Sequence, residues 1–364
     1  MEQANGIGQS KAADRAAAVK EGPGRESTPL VSIVVPSFNG APWLREALDS
    51  MLAQTYPNIE ILLLDDASTD ETPAIAAEYE SRIKYIRQPK NMGIYDNVNV
   101  GIAQAKGDLI ATYHADDIYL PTMVEEQVSY LQKYPEVGAV FASDILVDAD
   151  GREYGRMKLP DEVRGERPLR YPVVLNVLLS YKNNFLVSPT MMVRASVHRD
   201  LGVYRQDKYR NTSDLEMWLR IARSYPIAVL ERHLMKYRHF HGNSSQRYHR
   251  LRIEVENYFP IMDEYLERDL DLATSEALIS YEAHRSKDRI WAAMSHYIKG
   301  ELPPGRRALR DAPLGPIVRS PHVQKRLLAI AAGLWVALHL PRNEWLAERM
   351  RQRWHVKRPP REKT

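Results

Sequence analysis

Two apolar runs in the first half of this chain each end in an adjacent pair of aspartates, a pattern that constrains its fold more than any bulk property. The run Val31-Ser32-Ile33-Val34-Val35, stopped by Pro36, reads as a buried strand that empties into a turn at Ser37-Phe38-Asn39-Gly40. Trp43, Leu44, Ala47, Leu48, Met51 and Leu52 then recur at helical spacing. Ile59 to Leu64 is almost wholly apolar, as a strand covered on both faces must be, and it runs straight into Asp65-Asp66. The alternation predicts a helix near Pro73 to Tyr79, a strand at Lys84 to Ile86, a helix over Tyr95 to Ala105 and a strand at Asp108 to Tyr113. That last strand leads into His114-Ala115-Asp116-Asp117, followed by a helix opening at Pro121 and a strand at Gly138 to Ala142. Strands alternating with helices predict an α/β fold, a mixed and mostly parallel sheet flanked by helices, which binds ligands at the carboxyl ends of its strands.

Further along the pattern loosens. Residues 151–189, broken by Pro160, Pro168 and Pro172, read as a loop arching over a site and offer a place for an acceptor. Thr190 to Val193 is strand-like, Asp214 to Arg223 helix-like and Ile227 to Leu230 a strand. After Arg250 the signals are helical only, so the expected division is a leader at 1–28, an α/β domain at 29–250 and a helical extension at 251–364. The leader, rich in Ala, Gly, Ser, Lys and Glu, is expected to be disordered and lacks the apolar core of a secretory signal.

Several chemistries are excluded by composition. The chain has no cysteine, which removes disulfides, thiolate nucleophiles and Cys-ligated zinc, and fits a cytoplasmic setting. Its 50 basic residues are offset by 47 acidic ones, so charge gives no argument for nucleic acid. No eighteen-residue apolar run occurs, so no classical membrane-spanning helix is expected.

The acidic pairs admit two readings each. Asp65 and Asp66 can solvate a strand end while Ser68 or Asp70 caps the next helix, or a carboxylate there can accept hydrogen bonds from a ribose or a base. Asp116 and Asp117 repel one another, and a fold that keeps them together leaves them wet or gives them a cation. In a groove that holds a diphosphate, Mg²⁺ or Mn²⁺ on one carboxylate can bridge the phosphate oxygens. Asp214 can favour its helix dipole by ~0.5 kcal/mol, or serve as a general base. The basic, imidazole-rich stretch Lys236 to Ser244 suits a diphosphate, or lends one histidine to a metal.

Taken in order, these segments resemble the family 2 glycosyltransferases of the GT-A fold, the Rossmann-like fold of nucleotide-diphospho-sugar transferases. The resemblance runs through Val31-Ser-Ile-Val-Val-Pro-Ser-Phe-Asn39, Ser50 to Glu60, Asp65-Asp-Ala-Ser-Thr-Asp70, Asn91 to Gly101 and Ala115-Asp-Asp117. Ser213-Asp214, Trp218-Leu-Arg220 and His241-Gly-Asn-Ser244 close it. It implies an inverting, metal-dependent transfer of a sugar, most simply from a UDP-sugar, to a hydroxyl acceptor on a surface polysaccharide or lipid-linked glycan. Asp214 would be the catalytic base, Asp66 would contact the base of the nucleotide, and Asp116 the ribose or metal. Asp117 would hold Mn²⁺ or Mg²⁺, with His241 a further ligand, and Pro36, Asn39 and Asn99 would support the donor site. Arg238 or His239 would meet the diphosphate. Three positions depart from the family pattern: His114 where an aspartate is common, Ser213 where an acid often precedes the base, and Arg238 one residue further from His241-Gly242 than usual.

The sequence also admits two rival readings. A sugar nucleotidyltransferase should carry a Gly-rich, Arg-bearing loop after its first strand, where this chain has Pro36-Ser-Phe-Asn-Gly40. A non-catalytic nucleotide-sugar-binding module of the same fold would have no need of both Asp117 and Asp214. In the extension, Leu327 to Leu340 is an apolar stretch too short to span a bilayer, and Trp345, Leu346, Met350 and Trp354 form a stripe among arginines. Residues 322–358 therefore read either as core packing or as a peripheral seat on an anionic membrane surface, at the inner face of the cytoplasmic membrane.

Overall fold

The computed structural model describes residues 28–182, 185–239 and 251–355. All of the expected leader but Thr28 lies outside these, as does His241. Four parallel strands, β1 (Val31–Ser37), β2 (Ile59–Asp65), β3 (Lys84–Arg87) and β4 (Leu109–Thr112), lie in the order β3-β2-β1-β4. Chain direction turns mixed beyond β4. There β8 (Met192–Arg194) runs antiparallel to both β4 and β6 (Ala139–Val147), and β9 (Ile227–Arg238) runs parallel to β6. The short β5 (Ile118–Tyr119) and β7 (Glu153–Arg156) pair antiparallel with β9 and β6.

Successive residues of the central strands feed opposite faces, which is why their sequences are apolar throughout. Ile33, Val35, Ile61 and Leu63 enter one core, while Val34, Leu62 and Leu64 enter the other. The first core is covered by α1 (Ala41–Leu52), α2 (Thr72–Ala77) and α4 (Met123–Lys133). On the second lie α3 (Ile94–Gln104), α5 (Tyr171–Tyr181), α6 (Ala195–Leu201) and α8 (Ser213–Ser224), with the single turn α7 (Gln206–Tyr209) beside them. Helix α3 sits close on β1 because residue 101 is glycine: a Cβ there would stand 2.4 Å from Val34 Cγ1.

Three expectations change. The segment 151–189 is not an open arch, for it contains β7 and α5, whose Val174, Leu175, Leu178 and Leu179 are fully buried. Its prolines misled because Pro172 occupies the first turn of α5, where a missing N–H breaks no helical bond. Strands β6 and β9 run five and eight residues past the expected ends, at Val147 and Arg238. The polar residues Ser143, Asp144, Glu231, Arg232 and His233 hid these extensions, since a strand at the sheet's functional edge need not be apolar.

The carboxyl-terminal helices are α9 (Tyr258–Asp269), α10 (Ser275–Lys299), α11 (Leu302–Arg310), α12 (Gly315–Arg319), α13 (Arg326–His339) and α14 (Glu344–His355). Tyr258, Phe259, Met262 and Tyr265 of α9, with Ala277 and Tyr281 of α10, belong to the same core as the sheet. A separate apolar cluster begins at Ala283 and takes in Ile290, Ile317, Leu327, Leu334 and Leu338. The 25-residue α10 thus joins the two cores. Among the described residues no helix is long and apolar enough to cross a membrane.

Candidate active site

After β1 the chain moves outward to β2 and β3, then returns to place β4 on the other side of β1. Such a reversal opens a crevice at the strands' carboxyl ends. Pro36 pairs with Leu64 but lies beyond the last β1–β4 pair, Val34 with Thr112, so its missing N–H forfeits no bond on that side. Asn39 follows in the left-handed region at φ 53, matched by Ala67 at φ 60 in the neighbouring loop. Such strained residues persist only where their surroundings hold them. Here the Thr69 N–H donates to Asn39 Oδ1 at 2.8 Å, and the Asn39 N–H donates to Ser68 Oγ at 2.9 Å.

The two aspartates after β2 have distinct tasks. Asp65 accepts from the Ser68 N–H at 2.8 Å and the Tyr85 hydroxyl at 2.6 Å, and it is fully buried. Asp66 accepts from the backbone N–H groups of Met92 (2.7 Å) and Gly93 (2.9 Å), fixing the loop that opens α3. At 3% exposure, Asp66 has only its remaining lone pairs to offer a ligand.

At the end of β4, ligand atoms of His114, Asp116 and Asp117 all lie within 4.8 Å of one another. Asp117 is 1% exposed; its Oδ1 accepts the Arg238 backbone N–H at 2.8 Å, while its Oδ2 is buried with no hydrogen-bond partner, 3.9 Å from His114 Nδ1. Burial, and then the charge of Asp116, push the Asp117 carboxyl well above the usual carboxylate range. Burial also pushes the His114 imidazole down, towards the neutral form that ligates metals. An orphaned buried oxygen beside an imidazole nitrogen and a second carboxylate is a donor set that fits a divalent cation, and a cation would restore the ionisation that burial opposes. The sequence had shown His114 only as a departure from a family pattern; the structure brings it into the cluster.

Arg238 and His239 do not present free groups to this crevice. The Arg238 guanidinium donates to Glu46 at 2.5 Å, to the Asp116 carbonyl at 3.0 Å and to the Ala149 carbonyl at 3.0 Å, with 3% of the residue exposed. It fastens the Asp116-Asp117 loop, with three of its five N–H groups engaged by protein acceptors. His239 Nδ1 is hydrogen-bonded to the Tyr154 hydroxyl, and its ring stands edge-on to Tyr237 at 5.0 Å.

Asp214 sits in the first turn of α8, where its carboxylate accepts from the Leu215 N–H at 2.8 Å and from the Tyr95 hydroxyl. Burial raises its pKa to about 6, against the lowering effect of those hydrogen bonds. Tyr95 stacks on Tyr204 at 5.1 Å, and the Tyr204 hydroxyl is hydrogen-bonded to the side chain of Thr112 at the end of β4. Asn99 exchanges bonds of 2.9 and 3.0 Å with the Tyr204 backbone, so its amide anchors that segment. Gln206 completes the frame, accepting the Tyr95 N–H at 2.8 Å and donating to the Met92 carbonyl at 2.7 Å. Asp66, the α3 opening and Asp214 are thereby one connected unit. No sequence signal marked Gln206, whose partners lie more than a hundred residues away.

The model of glycosyl transferase family 2 matches residues 32–202. An uncharacterized glycosyltransferase of Haemophilus influenzae is 30% identical over 224 residues, spanning 60% of this chain and 68% of that one. Another, of Rickettsia felis, is 33% identical over 222 residues, but these span only 35% of its length. The chain therefore matches about a third of the Rickettsia relative. Among solved structures, S. aureus TarS 1-349 in complex with UDP is similar with a TM-score of 0.56 at 16% identity, covering 90% of this chain and 93% of that one.

Proposed function

This chain belongs to glycosyl transferase family 2, with a GT-A fold, and we propose that it transfers a sugar from a nucleotide diphosphate to a hydroxyl with inversion at the anomeric carbon. The observation that carries the reading is the unpartnered, buried Oδ2 of Asp117 beside His114 and Asp116, at the sheet's switch point. In the reading, Asp214 takes the proton of the acceptor hydroxyl as its oxygen attacks the face opposite the departing diphosphate. A base with pKa about 6 is mostly ionised at neutral pH, yet close enough to the working pH to hold the proton it receives. Tyr95 keeps the carboxylate oriented by hydrogen bond, and burial favours its neutral form after transfer.

Mn²⁺ or Mg²⁺ held by His114, Asp116 and Asp117 would supply positive charge to the leaving diphosphate. Arg238 positions the loop that carries those ligands, and in this reading His239 or His241 meets the phosphates. Pro36, Asn39, Asp66 and Asn99 shape the donor pocket, Asp66 by fixing the 92–93 turn against which a base can lie. The donor we favour is a UDP-sugar, a preference supported by the UDP in the S. aureus relative's complex. The acceptor we favour is a surface polysaccharide or lipid-linked glycan. Residues 29–250 would form the catalytic unit, working in the cytoplasm at the inner face of the membrane, with 251–364 as its helical extension.

Calorimetry with UDP, GDP and dTDP, with and without Mn²⁺, tests the assignment. Nucleotide binding should require metal, disappear in Asp117→Ala and survive in Asp214→Asn. Binding to none of the three, or binding indifferent to metal and to Asp117, would overturn the metal-dependent mechanism.

A further inference from the structure

Helix α13 packs on the separate carboxyl-terminal cluster through one narrow stripe, Leu327, Ala331, Leu334 and Leu338, all of them nearly inaccessible. These residues recur at the three- and four-residue intervals of a single helical face. A water-facing helix would be polar on its opposite side. Instead, Ala329, Ala332, Gly333 and Val336 are exposed there, with Leu340 just past the helix end and Trp335 on the flank, stacked on the exposed His339 ring at 4.4 Å. Trp335 is 57% exposed, Val336 50%, Leu340 55%, and Trp345 at the start of α14 65%. Of the eleven large apolar side chains exposed among the described residues, six lie between Leu314 and Trp345, so the apolar surface is concentrated in this region.

The charges beside this surface have one dominant sign. Lys325 and Arg326 stand exposed at its amino end, and Arg349 lies over the Trp345 ring at 5.0 Å. None of the three pairs with a carboxylate among the described residues. The two acids of α14 are already engaged, Glu344 with Arg342 at 2.5 Å and Glu348 with Arg351 at 2.8 Å. Helix α13 has fourteen residues and is followed by Pro341, so at roughly 21 Å it is shorter than a bilayer's hydrocarbon core.

We propose that the outward face of α13, with Trp345 of α14, is an interfacial seat for an anionic phospholipid surface, the helix lying in the membrane plane. A tryptophan on the flank of an apolar face and another at the start of the next helix, beside cations that have no carboxylate partner among the described residues, match the boundary between acyl chains and acidic headgroups. A protein partner large enough to cover the same face would leave those cations in need of acidic partners, whereas anionic headgroups provide them throughout. The inference rests on the reading of a membrane-side enzyme given above. Its test uses neither donor nor acceptor, so it fails or stands separately from sugar transfer.

The full chain is floated with phosphatidylcholine vesicles and with vesicles in which roughly a third of the lipid is phosphatidylglycerol. Binding should appear with the anionic vesicles, weaken in high salt, and shift tryptophan emission to the blue. Val336→Glu with Leu340→Glu should reduce the bound fraction at least tenfold, and Lys325→Glu with Arg326→Glu several-fold, each with an unchanged thermal midpoint. Lack of binding to anionic vesicles, or binding that ignores both variant pairs, would overturn the proposal. So would light scattering that shows a dimer dissolved by the Val336 and Leu340 changes, because a second copy would then cover the face.

Discussion

Around the carboxyl ends of β1, β2 and β4 this protein buries charge, while along α13 it exposes apolar surface. Asp65, Asp66, Asp117, Asp144 and Arg238 are each at most 3% exposed, whereas Trp335, Val336 and Leu340 are each at least half exposed. Both arrangements cost stability in an isolated molecule, the first by desolvating charge and the second by wetting apolar carbon. They differ in how the cost is offset. Asp65, Asp66 and Arg238 are met by protein hydrogen bonds, while Asp117 Oδ2 is unmet where a ligand's charge would act, and Asp144 Oδ1 is unmet as well. The face of α13 has no such compensation among the described residues. A region that leaves its polar groups incomplete is built for a small charged ligand, and one that leaves its apolar face incomplete is built for a surface.

The largest effect is expected at Asp214. Asp214→Asn removes the proton acceptor but keeps the side chain's size, and should lower turnover by roughly 10²–10⁴-fold with little change in nucleotide affinity. In the wild type, kcat/KM should fall about tenfold per pH unit below pH 6 as the base becomes protonated. An acid limb displaced far from that value would remove Asp214 from the role.

The two sides of α13 give the next largest contrast. Leu334→Ala, on the buried side, should cost about 3 kcal/mol in denaturant unfolding, while Trp335→Ser, one residue along, should stay within about 0.5 kcal/mol. Equal costs would mean that Trp335 is covered in solution.

Asp144 supplies a smaller effect with a defined sign. Burial raises its pKa from 3.8 to about 6, so between those values the folded chain holds the proton more firmly than the unfolded one, and stability falls as pH rises through that window. With chelator present, Asp144→Asn should therefore gain ~2 kcal/mol relative to wild type on going from pH 4 to pH 7.5. A constant difference across that range would show that Asp144 is solvated or paired in solution.

Much of the sheet was legible because buried parallel strands must be apolar on both faces, and Val31 to Val35 and Ile59 to Leu64 could be little else. The acidic pairs were legible as strand ends for the same reason. Helix α5 was not, since a proline at a helix's first turn and a proline in a loop look alike in sequence. The protein partners of Arg238 were not legible, since they are carbonyls 89 and 122 residues earlier in the chain and Glu46, 192 residues earlier. Gln206 carried no signal at all.

By itself, then, the sequence determined the alternating strands and helices, the carboxylates that end them and the apolar stretch of α13, because periodicity and burial are local statements written in consecutive residues. Tertiary contacts decided that Arg238 would bond to the Asp116-Asp117 loop, that Asp117 Oδ2 would be buried without a partner, and which side of α13 would remain bare among the described residues. Those outcomes depend on what packs against each group, and a hydrogen bond or a buried face is completed by whichever distant residues the fold brings within reach.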